Sequence, residues 1–333
     1  MKKNRMNIIK RLIGISIIPL GTLWIMLAFC SVRGVILFES EGNYIAFFRA
    51  AAAVMLTTFA LSINLNSGRF DFSIGSISLL SSVVSATVCM KLGLPVGVML
   101  ILSLILGAVL GAVSGIIYVF IQLPPIIVSL GVALLFEGAA FAFTKGYGVS
   151  FVTNIELISF PGILNYSLVI LIGLVAIIFL FEYTQFGYEY KTLLSGQKVA
   201  VNIGIKEKTN AILCYIISGG LMGVVGFITA TNTGNIQIAL NFGSIGVMFT
   251  AFLPMFIGGF IGRFCNEKIG YLLGAVTTAF ISLTYARLNV SSSVQQIVTA
   301  IILVIFLIYL NNENKLKQLF MFDRKVYADK EQK

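Results

Sequence analysis

The sequence predicts an all-α, polytopic membrane protein, and three observations carry that prediction. Apolar residues make up 58% of the 333 and charged residues only 11%, where an ordinary globular chain has about 25% charged. Mean hydropathy is +0.98. The apolar residues also fall into ten long runs separated by short polar connections, each run near the ~20 residues that a helix needs to cross a bilayer.

Taken in order, Leu12–Cys30 follows a basic stretch (residues 1–11) and reads as an uncleaved first span. Leu27-Ala28-Phe29-Cys30 hints at a lipoprotein cleavage box, but Phe29 is too large for the small residue wanted there. The remaining spans are Ile45–Leu65, Ser73–Met90, Pro95–Phe120, Pro125–Phe143, Ser167–Leu180, Ala211–Thr231, Ile245–Ile261, Ile269–Tyr285 and Val294–Leu310. Several fall short of ~20 residues, so the sequence predicts broken helices or ends that extend further. All ten form one transmembrane domain over residues 1–333.

Of 23 Lys and Arg, 17 lie in four places: before Leu12, between Lys191 and Lys208, at Arg263 and Lys268, and after Leu310. With ten spans, the basic N-terminus, the 182–210 loop and the 311–333 tail all face one side. Lys and Arg favour the cytoplasm, so both termini are expected there, in a cytoplasmic membrane. This placement explains the net charge of +10 without a nucleic-acid partner. Four dispersed cysteines have no metal or redox spacing, and the chain has no histidine. No Gly-x-x-x-x-Gly-Lys-Ser/Thr loop occurs, nor any nucleophile–base set. The expectation is a protein without metal or cofactor that is not itself an enzyme.

One stretch interrupts this pattern. Gly68 to Ser76 reads Gly-Arg-Phe-Asp-Phe-Ser-Ile-Gly-Ser between two apolar runs. Lipid cannot hydrogen-bond loose backbone, so a break at membrane depth must be wrapped in protein or line a watery cavity. Half-helices meeting at such a break are how transporters build a path near the midplane; a polar loop just outside the membrane is the alternative. A second weak point is expected at Phe256 to Phe264, Phe-Ile-Gly-Gly-Phe-Ile-Gly-Arg-Phe. Spans two to five and seven to ten would then form an inverted, 5+5-like repeat. Gly107, Gly111 and Gly115 share one helix face and let another backbone approach closely, within the chain in preference to across a subunit interface. Gly219, Gly220, Gly223 and Gly226 invite the same reading. Leu193 to Ile205 carries Leu193, Leu194, Val199, Ala200, Ile203 and Ile205 without a proline, which fits one amphipathic helix.

The 68–76 stretch resembles the Gly-Gly-Ile-Asp-Leu-Ser-Val-Gly-Ser signature of ribose/xylose/galactose-type permease subunits of ABC importers, matching at Asp71, Ser73, Gly75 and Ser76. Arg69 departs from it. Pro125-Ile126-Ile127-Val128-Ser129-Leu130-Gly131 is similar to that family's Pro-Phe-Ile-Val-Thr-Leu-Gly. Ala200 with Gly204-Ile205, and Gly258-Gly259 with Gly270 and Gly274, fall in its glycine frame. The resemblance implies partners: ABC ATPase subunits, an extracytoplasmic solute-binding protein, and a second permease copy or sister permease. It also implies that the 182–210 loop docks on the ATPase, through Ala200, Gly204 and Ile205.

Ionisable residues at membrane depth are costly and usually functional. Asp71, Ser73, Ser76, Arg69, Glu137 and Arg49 are therefore the candidates for a translocation path. Glu137 stands where the resembled family more often has arginine, and Arg69 where it has glycine, which suggests an Arg69–Glu137 ion pair. The function expected is import of a monosaccharide or similar small polar solute by alternating access. An ABC permease for nucleosides, an ion-gradient-driven transporter using Asp71 or Glu137, and a membrane scaffold without a path are the rivals.

Overall fold

The computed structural model describes residues 2–330, with side chains described over 11–312. The expectations for residues 1–10 and 313–333 therefore lie outside the described side chains. The chain forms α1 (Lys2–Val32), α2 (Glu41–Asn66), α3 (Ile74–Leu92), α4 (Val96–Ile121), α5 (Pro125–Thr144), a two-residue strand β1 (Val149–Ser150), α6 (Ile155–Ile158) and α7 (Ile163–Tyr183). There follow α8 (Gln185–Ser195), α9 (Gln197–Asn202), α10 (Glu207–Thr233), β2 (Asn235–Ile236), a 3₁₀ turn (Gly243–Ile245), α11 (Gly246–Thr250), α12 (Phe252–Ile261), α13 (Glu267–Arg287) and α14 (Ser292–Lys330). Among the described residues, ten helical segments are long and apolar enough to cross a membrane. The protein is an all-α polytopic membrane protein.

Two compact units divide the chain, Met1–Leu288 and Asn289–Lys333. Within the first, successive spans run up and down, so its connections fall at two ends. Residues 67–73, 122–124, 184–206 and 262–266 lie at one, called here the basic end because Lys191, Lys198 and Lys206 crowd it. The β1–β2 pair, Val149 with Ile236 and Ser150 with Asn235, lies at the other. There Arg287 pairs with Glu39 and donates through Nε to the Ile36 carbonyl.

Burial sorts the helices. α10 and α3 are the most enclosed, whereas α1 and α7 turn most of their apolar surface outward. Glycine decides how closely α10 meets its neighbours. A Cβ on Gly107, Gly111 or Gly223 would overlap backbone atoms of Gly219, Tyr215 or Ser103, and Gly115 lies against Ile212 and Tyr215. α4 and α10 thus touch backbone to backbone, an approach that only small residues allow.

The partners repeat between the halves. α10 packs on α4 and α2 on α13; α3 packs on α4 and α12 on α13. Gly258 on α12 meets Gly270 and Tyr271 on α13, and Gly274 meets the Pro254 carbonyl. Two expectations need correction here. In the expected weak segment Phe256–Phe264, Phe256–Ile261 is not a break but the end of α12, with Gly258 serving close helix contact, and only 262–264 leave the helix. The 193–205 segment is not one helix: α8 ends at Ser195 and α9 starts at Gln197. The sixth span also reaches Ile163–Tyr183, four residues earlier than expected, because Asn165 and Tyr166 look like loop residues but lie within α7.

Candidate functional site

Two stretches of non-helical backbone enter the first unit from opposite ends. Residues 67–73 turn back after α2 at the basic end; Gly68 takes a left-handed conformation (φ 75°). The stretch then climbs alongside its neighbours. Ser129 of α5 donates to the Phe70 carbonyl (3.2 Å), and the Ser73 and Ser114 hydroxyls lie 3.5 Å apart. Ser114 precedes the end of α4 by seven residues, roughly 10 Å at 1.5 Å per residue. α3 therefore begins well inside the bundle.

Its backbone is held by one carboxylate. Asp71 Oδ1 accepts from the Ser73 amide (3.0 Å) and hydroxyl (2.6 Å), and Oδ2 accepts from Asn64 Nδ2 (3.2 Å). Asn64 also donates to Ser218 of α10 (3.0 Å). Asp71, Ser73 and Asn64 are buried. An unpaired amide in such surroundings costs about 1–3 kcal/mol, and this bracing spares the Ser73 amide that cost where the chain leaves the helix. Ser76 donates to the Ser73 carbonyl (2.8 Å) and closes the first turn of α3.

The second stretch, residues 234–245, returns from the opposite end after α10. Asn241 and Phe242 are both left-handed (φ 56° and 66°). Its brace comes from another helix: Glu137 of α5 accepts from the Phe242 amide (3.0 Å), the Ser244 amide (2.9 Å) and the Ser244 hydroxyl (2.6 Å). The second stretch meets the first turn of α3, which the first stretch leads into: Gly75 lies against the Ser244 carbonyl, so closely that a Cβ on Gly75 would overlap it. Phe70 and Phe72 of the first and Phe249, Phe252 and Phe256 beyond the second form a chain of ring contacts beside this junction.

The expected Arg69–Glu137 ion pair does not form. Both Glu137 oxygens are engaged by the second stretch, and Arg69 points towards α10, where Nη2 lies 3.7 Å from Cys214 Sγ. Arg69 is 6% exposed and its Nε is buried without a partner. Beside it lies a cavity of about 280 Å³ lined by residues of the 66–69 turn, of α8 and α9, and of the start of α10. Arg49 stands apart from these groups and donates to Asn232 of α10.

In the 184–206 loop Ala200 is fully buried, whereas Val199, Val201 and Ile203 are exposed. Gly204 is left-handed (φ 97°) with open space where a Cβ would go, and it ends the α9 turn before Ile205. Tyr190 of α8 donates to the Ile63 carbonyl of α2 (2.9 Å). Burial pushes its phenol well above the ordinary value, so it stays protonated and donating, and it fixes the loop to the end of α2.

Residue-by-residue reading missed Asn64, Ser114, Ser218 and Ser244. Asn64 has a visible signal, an amide inside an apolar run. The three serines have none, since helices bury many serines that bond only their own backbone, as Ser81 and Ser82 do here.

A family model described as "Branched-chain amino acid transport system / permease component" matches residues 45–310. No curated protein and no solved structure matches the chain.

Proposed function

Because the chain belongs to this family of ABC-transporter permease components, we propose that it is the membrane subunit of an importer for a monosaccharide or similar small polar solute. The observation that carries the reading is the junction of two oppositely directed stretches at Gly75 and Ser244, each braced by a buried carboxylate. Irregular backbone deep in a bundle is tolerated where it serves a path. In this reading Asp71, Ser73, Ser76 and Glu137 hold the two half-helices, while Arg69 and Arg49 stand towards the two ends of the path. The family assignment sets aside the ion-driven and scaffold alternatives. A nucleoside remains a rival solute, and the ring contacts of Phe70, Phe72, Phe249 and Phe252 favour it, because flat rings stack on such surfaces.

The basic end faces the cytoplasm in this reading, since Lys191, Lys198, Lys206, Lys208, Arg263 and Lys268 lie there against Arg33, Lys91, Lys145 and Arg287 at the other. The exposed Val199, Val201 and Ile203 then form the apolar face that docks on a partner ATPase, with Ala200, Gly204 and Ile205 shaping the turn beneath. A second permease copy or a sister permease completes the path, and an extracytoplasmic binding protein delivers the solute.

The test is uptake into proteoliposomes that hold the permease with its ATPase and binding protein. Labelled monosaccharides, nucleosides and branched-chain amino acids are supplied in turn. ATP-dependent uptake of a monosaccharide is the expected result. Uptake of a nucleoside alone replaces the solute, and uptake driven by an ion gradient without ATP overturns the mechanism.

A further inference from the structure

We propose that the cavity beside Arg69 is a binding site for a small anion, a carboxylate or a phosphate group. The site lies between the 66–69 turn and the 184–206 loop, and the proposal does not depend on which solute is carried.

The argument begins with Arg69. Its side chain is buried, its Nε has no partner, and its Nη2 meets only a neutral thiol, Cys214 Sγ at 3.7 Å. Among the described residues no carboxylate pairs with it. Asp71, two residues on, spends its oxygens on Ser73 and Asn64, and Glu137 spends its own on Phe242 and Ser244. A guanidinium removed from water without a counter-charge is among the costliest arrangements a fold can hold. It is also the group best shaped to take a carboxylate or phosphate through two parallel N–H donors.

Space for that partner exists beside the guanidinium. The cavity of about 280 Å³ is lined by Arg69 together with Asn66, Ser67, Tyr190, Gln197 and Asn210. Several of these are already committed: the Ser67 hydroxyl to the Ile63 carbonyl, Tyr190 to the same carbonyl, and Asn210 to Phe186 and Cys214. Arg69 and the exposed Gln197 amide keep donors for a guest. Glu207, at the start of α10, is the one acidic residue in the lining. It is half-buried and opposes an anion, which makes it a built-in competitor. Because one wall is the 66–69 turn and the other is α8 and α9, occupancy is linked to any movement between them, and each biases the other by the same free energy.

The experiment is thermal unfolding of the full chain in phosphatidylcholine nanodiscs, titrated with sodium phosphate or acetate against methanesulfonate at constant ionic strength. A parallel arm replaces the soluble anions with phosphatidylglycerol in the disc. A saturable rise of several °C is expected once the ligand exceeds Kd about 100-fold, and it is lost in Arg69→Gln. A rise with phosphate or acetate identifies a soluble anion; a rise only with phosphatidylglycerol, also lost in Arg69→Gln, identifies a lipid phosphodiester. Since Arg69→Gln can fail to fold, Gln197→Glu provides an independent check at an exposed position. Its new carboxylate occupies the cavity, so its own midpoint rises and the anion response disappears. Glu207→Gln is expected to strengthen the response. No anion-dependent rise in either arm, or an equal rise in Arg69→Gln and Gln197→Glu, overturns the site. A response seen only in Glu207→Gln also overturns it, because Glu207 is then the occupant.

Discussion

The two irregular stretches of the first unit do the same job by different means. In 67–73 the turn and the carboxylate brace are local: Gly68 makes the turn, and Asp71 accepts from a residue two positions on and from Asn64 seven positions back. In 234–245 the left-handed turn falls on Asn241 and Phe242, and the carboxylate comes from Glu137, more than a hundred residues away. The first carries its own brace, with Ser129 of α5 adding only a side-chain hydroxyl to the Phe70 carbonyl. The second cannot be satisfied until α5 is packed in place. A junction built this way has one side braced by its own sequence and one side braced by the tertiary structure.

The largest expected effect comes from the point the two halves share. Gly75→Ala puts a Cβ into the Ser244 carbonyl oxygen. That oxygen belongs to backbone fixed by Glu137 and cannot swing away as a flexible side chain would. Overpacking of this kind typically costs about 1–3 kcal/mol and more where backbone must move. The folded yield of Gly75→Ala, read as the monodisperse fraction in detergent, is therefore expected to collapse. Gly131→Ala on α5, where nothing lies within 4 Å of an added Cβ, is expected to behave as wild type. A Gly75→Ala protein with normal yield and melting would mean that the two stretches do not touch.

Next in size is the contrast between the two carboxylates. Glu137→Ala strands two main-chain amides, those of Phe242 and Ser244, whereas Asp71→Ala strands one, that of Ser73, and leaves Asn64 its bond to Ser218. At about 1–3 kcal/mol for a buried unsatisfied donor, which the Ser244 and Ser73 amides are, and less for the amide of the exposed Phe242, Asp71→Ala is expected to lower stability by about 1–3 kcal/mol and Glu137→Ala by somewhat more. Midpoints of heat unfolding in one detergent, measured side by side, decide it. Equal losses would dissolve the distinction between a local and a remote brace.

This asymmetry also sets what could be read from the chain alone. The ten spans were legible because each is a long apolar run. The first break was legible because a charge and a glycine stand together in one nine-residue stretch. The second was misplaced to Phe256–Phe264, where paired glycines suggest weakness. Gly258 instead lets α12 press on Gly270 and Gly274 of α13, and glycine for flexibility looks the same in sequence as glycine for contact. The true break, 234–245, carries no charge of its own, and its brace is a lone glutamate in a distant span. Pairing Glu137 with Arg69 was the natural guess from charge. It fails because a carboxylate can be satisfied by backbone amides as fully as by a guanidinium.

A smaller effect separates the two turns themselves. Gly68 is left-handed with open space around its Cβ position, so Gly68→Ala meets no clash and its cost is conformational alone, about 1–2 kcal/mol. Asn241 already tolerates the left-handed region better than most side chains. For Asn241→Gly, relief of that residual strain is offset by the greater freedom of glycine in the unfolded chain, and the expected change is within about 0.5 kcal/mol. Equal and large losses at both positions would show that packing, not backbone conformation, dictates these turns.

The smallest expected quantity is a coupling. Arg69 belongs to the first stretch and Glu137 braces the second, and they share no partner: Arg69 faces Cys214 and the cavity, Glu137 faces Phe242 and Ser244. Side chains without shared partners add in their effects to within about 0.3–0.5 kcal/mol. In a cycle of Arg69→Ala, Glu137→Ala and the double change, followed by unfolding midpoint, the coupling is expected to fall inside that range. An ion pair would show itself differently. Removing either partner would strand the other's charge, and the double change would cost clearly less than the sum, by an amount comparable to the cost of one buried unpaired charge. A coupling of that size would return Glu137 to Arg69 and leave the amides of Phe242 and Ser244 without their brace. The two stretches would then be joined by charge, and the remote glutamate could no longer be what shapes the second turn.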